Sequence, residues 1–383
     1  MWGKRKITTF KLLRGRKTTA FSFWRQKLKG ADILLISIDL GYGYTKAISE
    51  KSRIIFPSVL APAQESGLDY GKSYGHVLEY RRPGEVHKQV VFVGELARKE
   101  GRAARVSLSR DKFRQDETVL YALSAAYLAG AEKQVSLAVG LPLDYYRLQK
   151  EETENFLRSV NAYVSVDGGP ERYISFSSVK VLPQAVGALY AQSDLPRKGL
   201  LGVIDIGFCT TDCILVECLP EDVVLLKSYT LSLDTAVSTA VKLFRNKITE
   251  ATGIPLSPVN AFELWVSKER EITVQGRPVD TGAMMDYARR EVGKALAQAV
   301  LAAWSEKADL LRGVLLCGGG ALEFRDEITT LLPQAEVAPD PQWANAMGFY
   351  RLAGGCIHPE SQKRQGFEGK NDGQVYTPGV YTS

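Results

Sequence analysis

The sequence predicts an α/β protein made of two similar domains that face one cleft. Three stretches lead to this. The first is ILLISIDLGYGYTKA, residues 33–47. Its apolar run has the length of a buried strand, ends at Asp39, and passes into Gly41, Tyr42, Gly43, Tyr44, Thr45 and Lys46. The second, LLGVIDIGFCTTDCILVE at residues 200–217, repeats the design. Its run ends at Asp205, turns through Gly207, Phe208, Cys209, Thr210, Thr211 and Asp212, and resumes as an apolar strand. The third, GVLLCGGGALEF at residues 313–324, sets Gly318, Gly319 and Gly320 between an apolar strand and a helical stretch.

Each stretch has a chemical reading. Glycine at 41 and 43 lets the backbone turn sharply and bring amide groups close to an anion. Lys46 reaches the same anion, and Asp39 suits Mg²⁺, held through water. The repeat at Asp205 would grip a phosphate chain from the opposite wall, so that both carboxylates serve one ion. A triple glycine leaves a flat backbone surface for a purine and its ribose. Taken singly, these are also ordinary Gly-rich hairpins and a tight strand-to-helix turn; their recurrence favours the phosphate reading. A P-loop is excluded, because GxxxxGK[ST] is absent. A dinucleotide fold needs a third glycine where this chain has Lys46.

DLGYGYTK, DIGFCTTD and CGGG resemble the first phosphate, second phosphate and adenosine motifs of the actin-type ATPases, the superfamily of actin, 70-kDa heat-shock chaperones and sugar kinases. VKVLPQAVGALYA at 179–191 is similar to the helix that joins the two domains there. RDKFRQDETVLYALSAAYLA (110–129), LAVGLPLDYY (137–146), ITEATGIPLSP (248–258) and PQWANAMGFYRLAG (341–354) look like ParM and Alp-like bacterial actins. The match runs from about residue 33 to about 355.

The resemblance implies two actin-type, ribonuclease H-like domains. Domain I would span 32–186, completed by about 341–357, and domain II 187–340. It implies ATP (or GTP) and ADP as ligands, with Mg²⁺ on Asp39 and Asp205. The phosphates would lie on Gly41 to Lys46 and on Gly207 to Thr211, the nucleoside on Gly318 to Gly320. Gln184 would stand at the cleft floor, where its amide can orient a water in line with the γ-phosphate without strongly deprotonating it. Phosphoryl transfer needs mainly positioning and charge neutralisation, so weak basicity is no objection. Plasmid ParM proteins often carry glutamate here and eukaryotic actin glutamine. The plain alternative for Gln184 is a solvent-exposed residue at a helix start.

Composition fits a globular protein. The chain has 383 residues, 45% of them hydrophobic, and a net charge of +6, enough for two sizeable cores. Ten Lys or Arg and no acid fall in residues 1–31, leaving 39 basic against 43 acidic residues elsewhere. The body is therefore mildly acidic and the basicity belongs to the leader. That leader also carries Trp2, Phe10, Phe21, Phe23 and Trp24, a mixture that suits nucleic acid or an anionic membrane. The simpler expectation is an extension without fold. It lacks the apolar centre of a secretory signal, and no apolar run reaches the roughly 20 residues of a membrane span. Cys209, Cys213, Cys218, Cys317 and Cys356 form no CxxC pair, as expected of reduced thiols in the cytoplasm.

Along the chain, a polar, Gly- and Tyr-rich stretch from Gln64 to Arg82 reads as a surface loop or flap. Gln89 to Gly94 reads as a strand, Glu117 to Leu128 as a helix closed by Gly130, and Leu137 to Val139 as a strand. Lys150 to Ala162 reads as a helix and Tyr173 to Leu182 as a strand ended by Pro183. In domain II, Val223 to Leu233 continues the sheet and Leu233 to Lys247 is helical. Ile272 to Val279 forms a hairpin, and Met284 to Trp304 is a long amphipathic helix whose apolar stripe is core. PQWANAMGF returns the chain to domain I, and 358–383 is a polar, Gly-rich tail.

Three function classes follow. A polymerising ATPase that moves plasmid or other DNA, with itself and a DNA-binding adaptor as partners, agrees best with the resemblance. A scaffold ATPase for shape, division or pilus assembly often uses a C-terminal amphipathic anchor, which this tail lacks. A small-molecule kinase needs a catalytic aspartate in a sugar pocket, for which no motif is present.

Overall fold

The computed structural model describes residues 11–13, 33–63, 75–101, 115–192, 195–220 and 222–355. The chain divides into two compact units. Of the described residues, the first holds 33–63, 75–101, 115–139, 151–180 and 353–355, and the second 11–13, 140–150, 181–192, 195–220 and 222–352.

The first unit is organised on a nine-stranded sheet. Within it Leu34–Leu40 and Tyr44–Ile48 form an antiparallel pair, with Gln134–Leu141 parallel on the other side of Leu34–Leu40. Ile36 and Ile38 on the first strand and Leu137 and Val139 beside them are wholly buried. A strand covered on both faces reads as a continuous apolar run, which is why these segments stood out in sequence. The helix Asp116–Leu128 packs on this sheet and buries nine residues. A further helix begins at Leu143, earlier than its periodicity suggests, and ends at Ser159, so that Asn161–Val166 is free to be a strand.

The expected loop from Gln64 to Arg82 is corrected in part. Residues 64–74 lie outside the described residues, but His76–Arg81 is a strand paired with both Gln89–Val93 and Asn161–Val166. Its alternating residues Val77, Glu79 and Arg81 are only half-buried, which hid the strand among polar neighbours.

The second unit carries a seven-stranded sheet. Gly199–Ile206 pairs antiparallel with Thr211–Cys218 and parallel with Leu311–Cys317. The helices Val237–Thr252, Pro258–Ser267 and Thr281–Trp304 contribute Phe244, Trp265 and Leu296 to its core. Burying a side chain such as Phe244 stabilises by about 1.5–3 kcal/mol. The first of these helices starts at Val237 and not at Leu233, because Leu231–Leu233 is taken into the sheet.

Two boundaries differ from expectation. Lys11–Leu13, in the leader expected to lack structure, forms an edge strand against Asp222–Leu225. The closing helix Ala344–Leu352 packs on the short helix Val186–Tyr190 inside the second unit, not with the first. Glycine decides this crossing: a Cβ on Gly348 would lie 1.7 Å from the Gly187 carbonyl oxygen. The tail 358–383 lies outside the described residues.

Candidate functional site

The two Asp–x–Gly hairpins share one geometry, each inside its own unit. In the first, Asp39 stands opposite Lys46 and Leu40 opposite Thr45. In the second, Asp205 stands opposite Asp212 and Ile206 opposite Thr211. Both aspartates belong to the strands rather than following them, so their backbones are fixed by the ladder. The glycine two residues on is sterically required in both. A Cβ at Gly41 would meet the Tyr44 carbonyl oxygen at 2.5 Å, and one at Gly207 the Thr210 oxygen at 2.9 Å.

In the first hairpin, Lys46 Nζ donates to Asp39 Oδ2 at 2.9 Å and both side chains are buried. Ser58 staples the loop from the neighbouring segment: its hydroxyl donates to the Gly41 carbonyl at 2.7 Å and lies 2.9 Å from Thr45 Oγ1. Tyr42 and Thr45 are buried, whereas Gly41, Gly43 and Tyr44 are half-buried.

In the second, the turn closes through Gly207 N–H donating to the Thr210 carbonyl at 2.9 Å. The loop is docked on a helix start: Ser238 N–H donates to the Phe208 carbonyl at 2.7 Å. Phe208 stacks edge-on against Phe262 with centroids 4.8 Å apart. Thr211 is buried and its hydroxyl donates to the Thr235 carbonyl at 2.7 Å, so that group holds the hairpin in place. Gly207, Phe208, Cys209 and Thr210 are half-buried.

The triple glycine lies against the same strand end. Gly318 has φ +84°, and a Cβ there would stand 2.6 Å from Asp205 Oδ1 and 2.3 Å from the Ile206 carbonyl oxygen. Gly320 N–H donates to that carbonyl at 2.9 Å. Nothing lies within 4 Å of where a Gly319 Cβ would be, so the outer face of this turn is open. Turns continue to Phe324 and the helix starts only at Arg325.

Gln184 sits in a turn, not in a helix, between the strand ending at Pro183 and the helix starting at Val186. Its N–H donates to the Leu141 carbonyl at 2.8 Å. A Cβ on Gly140 would lie 2.2 Å from Phe349 Cζ and 3.3 Å from Gln184 Cγ, so that glycine makes room chiefly for Phe349 and also for the Gln184 side chain. Ala185 has φ 63° and ψ −42°, and Gln184 C=O accepts from Val186 N–H at 2.8 Å. This is a γ-turn with positive φ, a strained conformation for a residue with a Cβ.

Two residues acquire roles that the sequence did not suggest. Asn345 Nδ2 donates to Asp205 Oδ2 at 2.6 Å, and its Oδ1 accepts from Ala185 N–H at 3.2 Å. Asp212, opposite Asp205, is wholly enclosed, and burial pushes its carboxyl up to about 7, helped by the Asp205 charge. The Ser232 side chain and Leu143 amide oppose that shift, and Asp212 Oδ1 has no hydrogen-bond partner.

The residues fit Mg²⁺ that arrives with its ligand. Among the described residues no three His, Cys, Asp or Glu form a metal-holding cluster, so a resident protein cage is absent there. Mg²⁺ is usually held by one or two carboxylates together with waters and phosphate oxygens, and Asp39 in its unit and Asp205 in its own are each a carboxylate of that kind. Cys209, Cys213, Cys218 and Cys317 are not in disulfides, and Cys356 lies outside the described residues.

Comparison with known proteins places the chain. A model of actin-like proteins' N-terminal domain matches residues 37–187, and a model of the archaeal MreB-like actin homologue's C-terminal domain matches 203–330. The chain belongs to the actin-like proteins. Its fold is similar to that of a 15-stranded ParM filament from Clostridium botulinum, at TM-score 0.75 and 21% identity over 84% of this chain and 99% of that one. An archaeal actin homologue, Ta0583, in complex with ADP aligns at TM-score 0.69 and 22% identity over 84% and 99%. Bacillus thuringiensis ParM with ATP aligns at TM-score 0.61 and 14% identity over 84% and 98%. No curated protein matches the sequence. Among the described residues no helix of this actin-like chain is long and apolar enough to cross a membrane.

Proposed function

We propose that this actin-like protein is a nucleotide-dependent ATPase whose cytoplasmic filaments segregate a plasmid or other DNA. The observation that carries the reading is the matched pair of hairpins, with the same register and the same obligatory glycine in each half of an actin-like chain. Similarity to a ParM filament and to relatives described with ADP and ATP supports it.

In this reading Gly41 to Lys46 and Gly207 to Thr210 hold the phosphates of ATP or GTP. Thr211 keeps the second loop in shape, and the open face at Gly319 accepts the nucleoside. Lys46 balances the phosphate charge, and Asp39 and Asp205 hold Mg²⁺, which when bound neutralises charge on the transferred phosphoryl group. Gln184 orients the attacking water. A DNA-binding adaptor would be a separate chain, and the charge of the basic leader suits a contact with nucleic acid or anionic lipid.

Sedimentation with ATP, ADP and no nucleotide, read beside phosphate release and electron microscopy, tests this. Pelletable filaments only with triphosphate, with phosphate released at assembly, are expected. Turnover without pelleting, or turnover that requires an added sugar, would replace the filament reading by a scaffold or a kinase. Within the filament reading, Gln184→Ala should lower kcat about 10²-fold, the size of a positioning loss, while triphosphate still drives assembly. Loss of nucleotide affinity in that variant would give Gln184 a different task.

A further inference from the structure

We infer that Asn345 is the positioning residue that locks the second hairpin's carboxylate to the water-orienting glutamine. The inference rests on the nucleotide reading of the site. One amide side chain makes both contacts: Nδ2 to Asp205 Oδ2 at 2.6 Å and Oδ1 from Ala185 N–H at 3.2 Å. A carboxylate only accepts and a backbone N–H only donates, so the amide has a single orientation that serves both. Asn345 is buried, and both bonds are therefore shielded from water.

The surroundings are built for this reach. Asn345 stands in the first turn of the helix Ala344–Leu352. That helix comes close enough only because Gly187 and Gly348 meet where side chains would overlap. A Cβ on Gly187 would also press to 3.1 Å from Asn345 Oδ1. The N–H it accepts belongs to Ala185, the residue held at φ 63°. An external acceptor is what holds such a strained γ-turn in one state, and the turn carries Gln184 immediately before it.

The comparison with the first hairpin gives the chemical reason. Asp39 takes its donor from Lys46 across the ladder, but the equivalent position opposite Asp205 is Asp212, which cannot serve as a cationic donor. Asn345 supplies a neutral donor instead. It fixes one oxygen of Asp205 and leaves the carboxylate its full charge for a cation. Asn345 acts through Asp205 and, by way of Ala185, through Gln184.

Two variants of the full chain test this. Asn345→Ala removes both bonds, while Asn345→Asp keeps an acceptor for Ala185 N–H and replaces the donor to Asp205 by a repelling oxygen. In hydrogen exchange of the nucleotide-free protein, the Ala185 amide should exchange about tenfold faster in Asn345→Ala and as in wild type in Asn345→Asp. Under saturating Mg²⁺-ATP both should lose kcat by about 10–100-fold, as for other residues that orient a metal ligand, with nucleotide KM within about threefold. Unchanged Ala185 exchange in Asn345→Ala overturns the inference, as does a kcat within about twofold of wild type in either folded variant. So does a loss that falls entirely in KM or tracks the folded fraction. A wild-type chain that binds and hydrolyses no nucleotide overturns the proposed function instead, and the exchange measurement still decides the clamp.

Discussion

The two hairpins are the same piece of backbone with opposite electrostatics. Each places an aspartate on the inner strand, a glycine two residues later and a partner residue seven positions on. In the first the partner is Lys46, and the buried pair is neutral as a whole. In the second it is Asp212, so two carboxyl groups share a buried ladder position and one is pushed towards the protonated form. A duplicated scaffold thus keeps its geometry, which sterics dictate, while its charges are free to diverge. The first aspartate takes a donor from within its own hairpin, Lys46; the second takes one from Asn345, 140 residues further along the chain.

The sharpest way to break this comparison is to delete each aspartate. Asp39→Ala leaves Lys46 buried and unpaired, and breaking a buried ion pair from one side costs roughly 3–5 kcal/mol. Asp205→Ala leaves neutral donors, the Asn345 amide and the Cys317 thiol, without their acceptor, about 1–3 kcal/mol, and relieves the repulsion on Asp212. Urea unfolding at neutral pH without nucleotide should therefore show the larger loss for Asp39→Ala. Equal losses would mean that the Lys46 pair is not what holds the first hairpin.

Much of this was legible beforehand, for a physical reason. Buried strands such as Leu34–Leu40 and Gly199–Ile206 must be apolar along most of their length, and tight loops must carry glycine, so both hairpins announced themselves. The long helix ending at Trp304 did so by its stripe. The strand His76–Arg81 did not, because most of its half-buried residues, His76, Glu79, Tyr80 and Arg81, are charged or polar like those of a loop. Asn345 was in plain view within PQWANAMGF but without a role, since its two bonds reach Asp205 and Ala185 across 140 and 160 residues. The nearest sequence signal was the pair of glycines, 187 and 348, that let two helices touch.

Asp212 sharpens the electrostatic half of the comparison. Its carboxyl is raised to about 7 in the folded chain by burial first and by the Asp205 charge, against about 3.9 when unfolded. The folded state therefore holds a proton that the unfolded chain has released. This group's contribution is fully present below about pH 4 and is lost as pH rises through about 7. Asp212→Asn removes that dependence. Thermal unfolding of the nucleotide-free variant should show a gain over wild type that is small near pH 4, grows to neutral pH and levels off above it, on the order of a few kcal/mol at the plateau. A gain independent of pH would show that Asp212 is not the group being titrated.

The smallest expected effect tests the half of the comparison that concerns shape. Alanine at position 41 drives a Cβ to 2.5 Å from the Tyr44 oxygen, alanine at 207 to 2.9 Å from the Thr210 oxygen. Both contacts are to backbone, which cannot rotate away, so each loop must shift. Overpacking of this kind costs about 1–3 kcal/mol, with Gly41→Ala at the upper end and Gly207→Ala at the lower. Ser58 widens the gap, because its hydroxyl ties the Gly41 carbonyl in place at 2.7 Å and hinders the very displacement that would relieve the clash. Ser58→Ala in the Gly41→Ala background should therefore cost less than Ser58→Ala alone, as urea unfolding of the four proteins would measure. If the two losses simply add, the staple does not restrain the loop, and the rigidity of the first hairpin comes from the Asp39–Lys46 pair.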